Sequence, residues 1–161
     1  MNLVRLYVPT ANELAYRRFL IGDEETMSYN QGYGDNGGCT YAQTEEEALR
    51  WWDYWNSKGN CYAYVVRNAD NKPVGEVSIH FPDDHSRENG FGWIEVLIEA
   101  AERNKGYGEE ALKLLIDYAW NKLGLNKLLD DIPVDREGSV RLFERLGFRR
   151  NELMNVMELE R

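Results

Sequence analysis

The stretch from Phe91 to Val134 constrains the fold of this chain more than any other. "FGWIEVLIE" has the β-branched and aromatic content of a strand. "GYGEEALKLLIDYAWNKLG" then carries Leu112, Leu115, Ile116, Ala119 and Leu123 at helical spacing, and "KLLDDIPV" reads as a further short strand. Strand, helix and strand in that order make one βαβ crossover, so at least one pair of strands is parallel and carries a helix on its face. The first strand does not enter the helix directly. "EAAERNKGYG" intervenes, and its two glycines stand where the helix starts. Such an end leaves several backbone N–H groups pointing outward, with Glu109 and Glu110 favouring the first turn through the helix dipole. It can cradle a phosphate, or it can be a tight strand-to-helix turn that needs glycine for its backbone angles alone.

Around this crossover the chain reads as a series of short elements. "LVRLYVP" is strand-like, and "NELAYRRFLIGD" is a helix with Asn12 placed to cap it. Asp23 to Thr44 holds Gly32, Gly34, Gly37 and Gly38 and reads as a long loop. Thr44 and Glu47 form a capping box for "TEEEALRWWDYWNSKG", where Ala48, Trp51 and Trp55 share a face as packing residues. "CYAYVVRNADNKPVGEVSIHF" is a hairpin turning at "NADNKP"; in its second arm Glu76, Ser78 and His80 alternate with Val77, Ile79 and Phe81, so one face is polar. "PDDHSRENG" is a loop, "GSVRLFERLGF" a helix and "NELMNVMELE" a closing strand. The order β-α-α-β-β-β-α-β-α-β predicts a single-domain α/β protein over residues 1–161. Its central sheet is mixed, partly antiparallel and flanked by helices.

Composition narrows the function classes. A net charge of −9 argues against a nucleic-acid binder that works by neutralising phosphates. Within that total, residues 1–100 hold eight Lys and Arg against sixteen Asp and Glu, whereas residues 101–150 hold ten against nine. The relatively basic part contains the glycine turn. No apolar run approaches the roughly 20 residues of a membrane span, and the N-terminus lacks the pattern of a signal peptide. Cys39 and Cys61 lie in no ligand-like spacing with His80 or His85, so neither a structural metal nor a disulfide framework is expected. The expected compartment is the cytoplasm, with no nucleic-acid or membrane partner and a homodimer as a possible assembly.

Two phosphate-binding patterns overlap at the turn. "GYGEEA" fits G-x-G-x-x-A, a dinucleotide fingerprint, with Asp130 near the distance of a ribose-binding acid; yet "EAAERNK" separates Ile98 from Gly106, and the hairpin before it supplies no further βαβ unit. "RNKGYG" fits [Q/R]-x-x-G-x-[G/A] between a strand and a helix, and here the chain resembles the GNAT N-acetyltransferase family. "GYGEEALKLLIDYAWNKLGLNKL" is similar to the family's cofactor-binding helix running into its fifth strand, and "GSVRLFERLGFRR" to its later A/S-x-x-L-Y/F-x-x-x-G-F segment. The motif agreement covers roughly residues 91–150, and the element order agrees along the whole chain.

The resemblance implies acetyl-CoA as cosubstrate. It places the backbone of Arg103, Asn104, Lys105, Gly106, Tyr107 and Gly108 around the pyrophosphate. Val96, Leu97 and Ile98 would pair with the peptide-like pantetheine arm, and a strand N–H would stabilise the thioester oxygen as it becomes an oxyanion. The cofactor-binding segment extends by resemblance to Arg136 and Phe143, both of which depart from the family pattern. Arg136, able to reach a phosphate, stands where an asparagine is usual, and Phe143 replaces a tyrosine that returns a proton to the thiolate. Ser139 is the nearest hydroxyl in that segment, with helix capping as its other use, and Glu95 is the candidate base, although the family's usual carboxylate falls nearer Trp93. The implied activity is direct acetyl transfer in a ternary complex to a primary amine, on a small molecule or a protein N-terminus. A catalytically silent acyl-CoA-binding module is the alternative. Residues 21–47 hold seven acidic residues and no Lys or Arg, beside Tyr29, Tyr33 and Tyr41, which favours a cationic acceptor.

Overall fold

In the computed structural model, which describes residues 2–30 and 40–161, the expected crossover is present. β4 (Phe91–Ile98) and β5 (Lys127–Asp130) are parallel and are joined by helix α5 (Tyr107–Asn121). They form the centre of a mixed sheet. On one side lie β1 (Val4–Tyr7), β2 (Cys61–Arg67) and β3 (Lys72–His80), all antiparallel. On the other lie β7 (Val156–Glu160) and β6 (Arg149–Asn151), giving the order β1-β2-β3-β4-β5-β7-β6. Among the described residues β4–β5 is the one parallel pair, so the doubly wound architecture of a dinucleotide fold is absent and that reading of "GYGEEA" falls.

Both faces of the sheet are covered. β2 is buried along its whole interior because alternate residues enter two different cores. Ala63 and Val65 join Val74, Val77, Ile79 and Ile94 beneath Ala111, Leu112, Leu115 and Ala119 of α5. Phe143 of α6 (Glu137–Arg145) closes that core. On the opposite face Tyr62, Tyr64 and Val66 pack under Trp51, Trp52 and Trp55 of α3 (Glu45–Ser57) and Tyr16 of α1 (Ala15–Gly22). The tryptophans read as packing residues therefore are packing residues. Beside them Leu97 meets Leu20 and Met27, the last from the short helix α2 (Glu24–Met27).

Several local expectations need correction. Thr10, not Asn12, opens the first helical segment, bonding Glu13 through its amide and its hydroxyl. Asp23 to Asn30 is helical rather than loop, because Asp23 caps α2 by accepting from the Thr26 amide. The four glycines of that stretch lie outside the described residues. "PDDHSRENG" contains α4 (Asp84–Glu88), capped by Asp83 through the Ser86 amide. "NELMNVMELE" is not one strand: its first residue, Asn151, ends β6, a turn follows, and Val156 begins β7.

One buried residue fastens α2 to the segment after β4. Thr26 is fully enclosed; its hydroxyl bonds Asp23 and accepts from the Ala100 amide at 3.0 Å. Thr26→Val keeps the shape and removes the acceptor, leaving the part-buried Ala100 N–H unpaired. The expected cost is about 1–3 kcal/mol of stability, read as a lower urea midpoint with unchanged slope.

Candidate functional site: an unpaired strand edge beside an amide cradle

β4 is eight residues long and β5 only four. Their pairing spans Phe91–Lys127, Gly92–Leu128 and Trp93–Leu129, and then stops. Ile94 to Ile98 keep β3 on one side, and among the described residues no strand covers the other. The Glu99 amide donates to Val74 C=O, which fixes the antiparallel alternation: the backbone of Glu95 and Leu97 faces β3, and that of Val96 and Ile98 faces the open edge. Of the three residues expected to pair with a ligand, Val96 and Ile98 thus present backbone groups. Leu97 instead contributes its buried side chain to the opposite core.

The edge leads into the glycine turn. A single 3₁₀ turn (Ala100–Glu102) follows β4, then Asn104 and Gly106 both take left-handed angles, φ +62° and +84°. Gly106 is the N-cap of α5, and only glycine holds that angle without strain. The amides of Asn104, Lys105, Gly106, Tyr107 and Gly108 have no acceptor among the described residues. Arg103 differs from this set. Its amide donates to Ala100 C=O, and its guanidinium bonds Ile98 C=O at 3.1 Å and Thr26 C=O at 2.7 Å. It staples the turn to the strand end. A Cβ at Gly108 would meet Ile98 and Leu142 at 3.4 and 3.9 Å, ordinary packing distances, so the packing of α5 on β4 does not itself demand glycine there.

Beneath the cradle lies an ionic cluster. The Glu102 carboxylate is buried and holds Arg67 and Lys105, each at 2.8 Å. The Lys105 hydrogen bond, aided by the charges of Arg67 and Lys105, lowers the Glu102 carboxyl below its ordinary range. Arg67 is shared with Asp70 and Lys72 lies 3.9 Å from Glu102, so three cations face two carboxylates and the cluster stays net positive.

On the face covered by α1 and α3, carboxylates gather near the same edge. Glu95 is exposed and accepts from the Tyr29 hydroxyl at 3.3 Å. Glu76 is half-buried and receives a short hydrogen bond from Tyr62. Burial pushes Glu76 up to about 7, with the Tyr62 hydrogen bond and the Arg17 charge opposing and Glu95 adding. Burial lowers His80, against the pull of Glu95. Asp130, the first residue of β5 beyond the last parallel pair, is pushed up to about 8 by burial and by the Glu95 charge.

The remaining expected residues fall in different places. Arg136 is the N-cap of α6; its guanidinium donates to Tyr29 C=O and lies 4.7 Å from the Tyr29 ring centroid. It reaches across to the segment after α2. Phe143 is 2% exposed and stacks edge-on against Phe148, so it is a core residue with no surface for a ligand. Ser139 is exposed in the first turn of α6 and is not its cap. Within the acidic segment Asp23 and Glu47 cap helices, and Glu46 pairs with Arg50 at 2.8 Å. Tyr33 and Asp35 lie outside the described residues. The carboxyl groups near the open edge are instead Glu76, Glu95 and Asp130, and burial favours the protonated form of Glu76 and Asp130. Tyr62 went unnoticed in the sequence because only the β2–β3 register, Tyr62 opposite Ser78, brings it beside Glu76.

Asp130 makes stability depend on pH. Between the ordinary carboxylate range and about 8, the folded chain holds a proton that the unfolded chain has released, so stability falls as pH rises through that window. Asp130→Asn removes this titration. Its melting temperature should exceed the parent's at about pH 8.5, and the difference should shrink towards about pH 4 in melts run across that range.

Comparison with known proteins agrees with this geometry. The family model described as an acetyltransferase (GNAT) domain matches residues 4–149. An N-acetyltransferase 9-like protein of Nematostella vectensis is 31% identical over 140 residues, covering 84% of this chain and 61% of that protein. The alpha/beta-tubulin-N-acetyltransferase 9 of Mus musculus is 36% identical over 86 residues, 53% of this chain and 35% of its own length. The chain thus spans less than two thirds of these relatives. A spermidine N-acetyltransferase from Vibrio cholerae, solved with CoA and spermine, superposes with a TM-score of 0.77 at 17% identity, covering 92% of this chain and 82% of that one. With the family model matching nearly its whole length, the chain belongs to the GNAT acetyltransferase family.

Proposed function

We propose that this chain is an acetyl-CoA-dependent N-acetyltransferase that acetylates a primary amine of a cationic acceptor by direct transfer in a ternary complex. The observation that carries the reading is the continuity of the unpaired β4 edge with the amide cradle at the start of α5. Acetyl-CoA has a pyrophosphate and a pantetheine arm with two amides, and these residues fit both. The amides from Asn104 to Gly108 suit the pyrophosphate, helped by the α5 dipole and the cations around Glu102. Val96 and Ile98 suit the arm, as an added strand would. Acetyl-CoA supplies an acyl group on a thiolate stable enough to leave.

The chain's own residues do the rest. The Val96 N–H, in a partly enclosed edge, donates to the carbonyl oxygen where negative charge develops. Glu95, held by Tyr29, draws and orients the ammonium of the acceptor. Asp130, which burial pushes up to about 8, stands at the end of β5 just past the last β4–β5 pair. It is the candidate proton source for the thiolate in place of Phe143. Relatives named for a polyamine and for a protein share one acceptor property, a positive charge at the reacting end. The carboxylates of this site suit it.

Two measurements test the reading. Acetyl-CoA should raise the melting temperature and NADH should not, since only a ligand of the folded state stabilises it. Gly106→Ala should cost the fold about 1–2 kcal/mol through the left-handed angle and also erase most of the acetyl-CoA shift. A full shift in that variant would remove the turn from the binding site. In steady-state kinetics, kcat/KM for spermidine should fall as salt rises, and Glu95→Gln should lower it by about tenfold while flattening the salt dependence.

A further inference from the structure

An acceptor amine must shed a proton as it is acylated, and Glu95 stands in the open with its charge already engaged by Tyr29. A second carboxylate lies deeper on the same face. Glu76 is opposite Leu97 in the β3–β4 register, one strand in from the Val96 and Ile98 edge. Tyr64 is its partner on β2, and the Tyr62 hydroxyl bonds its carboxyl. Trp51 and Trp52 pack edge-on around Tyr62, with ring centroids 5.3 and 5.9 Å away, and fix that donor. Among the described residues the charged or titratable groups that act on Glu76 are Tyr62 and Tyr64 from β2, Tyr16 and Arg17 from α1, Glu95 from β4 and Tyr29 after α2, with His80 further along its own strand. Arg17 is stacked 3.4 Å from the Trp51 centroid, and its buried Nε has no acceptor among the described residues. Glu76 likewise has one donor, Tyr62. Both keep unused hydrogen-bonding capacity on this face, which is what a bound amine or a relaying water requires.

We propose that Glu76, oriented by Tyr62, accepts the proton released by the acceptor amine, with Glu95 acting beside it as a fixed negative charge. The inference rests on the acetyl-transfer reading above. The bound ammonium first passes a proton to a Glu76 oxygen, directly or through one water, and from there it goes to solvent, which restores the carboxylate. The freed lone pair then forms the C–N bond, the C–S bond breaks with its electron pair leaving on sulfur, and the second N–H proton leaves to water or to the thiolate. The proton affinity of Glu76 suits that role. Burial brings it to about 7, where a base is half-ready at neutral pH and strong enough to take the proton. Its neighbours set that value in known directions. The Tyr62 hydrogen bond lowers it and the Glu95 charge raises it.

The test is the pH profile of kcat/KM, with spermidine and a short peptide with a free N-terminus as the two acceptors. In the parent, activity should rise with pH through a limb near 7. Glu76→Gln should abolish the limb and lower kcat at about pH 8 by about 100-fold or more, with KM for acetyl-CoA within about threefold of the parent. Tyr62→Phe should move the limb to higher pH and Glu95→Gln should move it lower. These two shifts decide the matter if Glu76→Gln does not fold. A Glu76→Gln enzyme that keeps the limb, or a Tyr62→Phe limb that stays put, overturns the role of Glu76 and leaves the acetyltransferase reading standing. Absence of acetylated product from the parent with both acceptors overturns both.

Discussion

The site exists because β4 outruns β5. Paired strands satisfy each other's backbone, and an edge left open inside a protein must find partners elsewhere. β5 cannot extend the pairing: after Asp130 comes a second aspartate, then Ile132 turns into the core and Pro133 removes a donor. β7 meanwhile holds β5 from its other side down to Asp130, so β5 is not free to follow β4. One carbonyl on the open edge, that of Ile98, is capped by Arg103. The Val96 backbone and the Ile98 amide remain for a ligand that looks like a strand. The turn continues the same logic, since a helix start also leaves donors unpaired, and here the two unsatisfied stretches are contiguous.

Burial on both faces of β2 and β3 explains the electrostatics of the second half of the site. With α5 and α6 on one face and α1 and α3 on the other, a carboxylate on β3 is only partly exposed to water. Taking a charge out of water is costly unless it is paired, so the group binds a proton more tightly instead. Glu76 and Asp130 both respond in this way, and each feels Glu95. Glu102 shows the opposite outcome. Two cations, each 2.8 Å away, hold it ionised. Enclosure therefore sets the cost, and the partner decides whether the charge survives.

How much of this was legible in the sequence follows from range. The βαβ crossover, the hairpin and the capping box at Thr44 depend on residues a few positions apart, and all three are where the sequence put them. The glycine turn was legible for the same reason. Register was not. Tyr62 joins Glu76 only through β2–β3 pairing, and Arg136 meets Tyr29 across more than a hundred residues. Phe143 misled because a motif position fixes a place in the chain and not the direction of a side chain; here it points into the core against Phe148. Of the acidic segment, a count of charges could not tell that Asp23 and Glu47 are engaged in capping.

The two halves of the site are also mechanically joined. Thr26 accepts from Ala100, Arg103 donates back to Thr26 C=O, and Tyr16 donates to Glu99 at 2.9 Å. All three contacts tie α1 and α2, which lie over the acceptor face, to the five residues between β4 and the amide cradle. Further along, Tyr29 touches Glu95 on β4 and Arg136 on α6. The segment after α2 thus bridges the open edge, fastened on the strand and on the far helix. Such contacts are short-range and specific, so displacing α2 breaks hydrogen bonds at the turn rather than stretching a soft interface. The acceptor face and the cradle therefore hold one geometry together, which two reacting groups brought from different partners require.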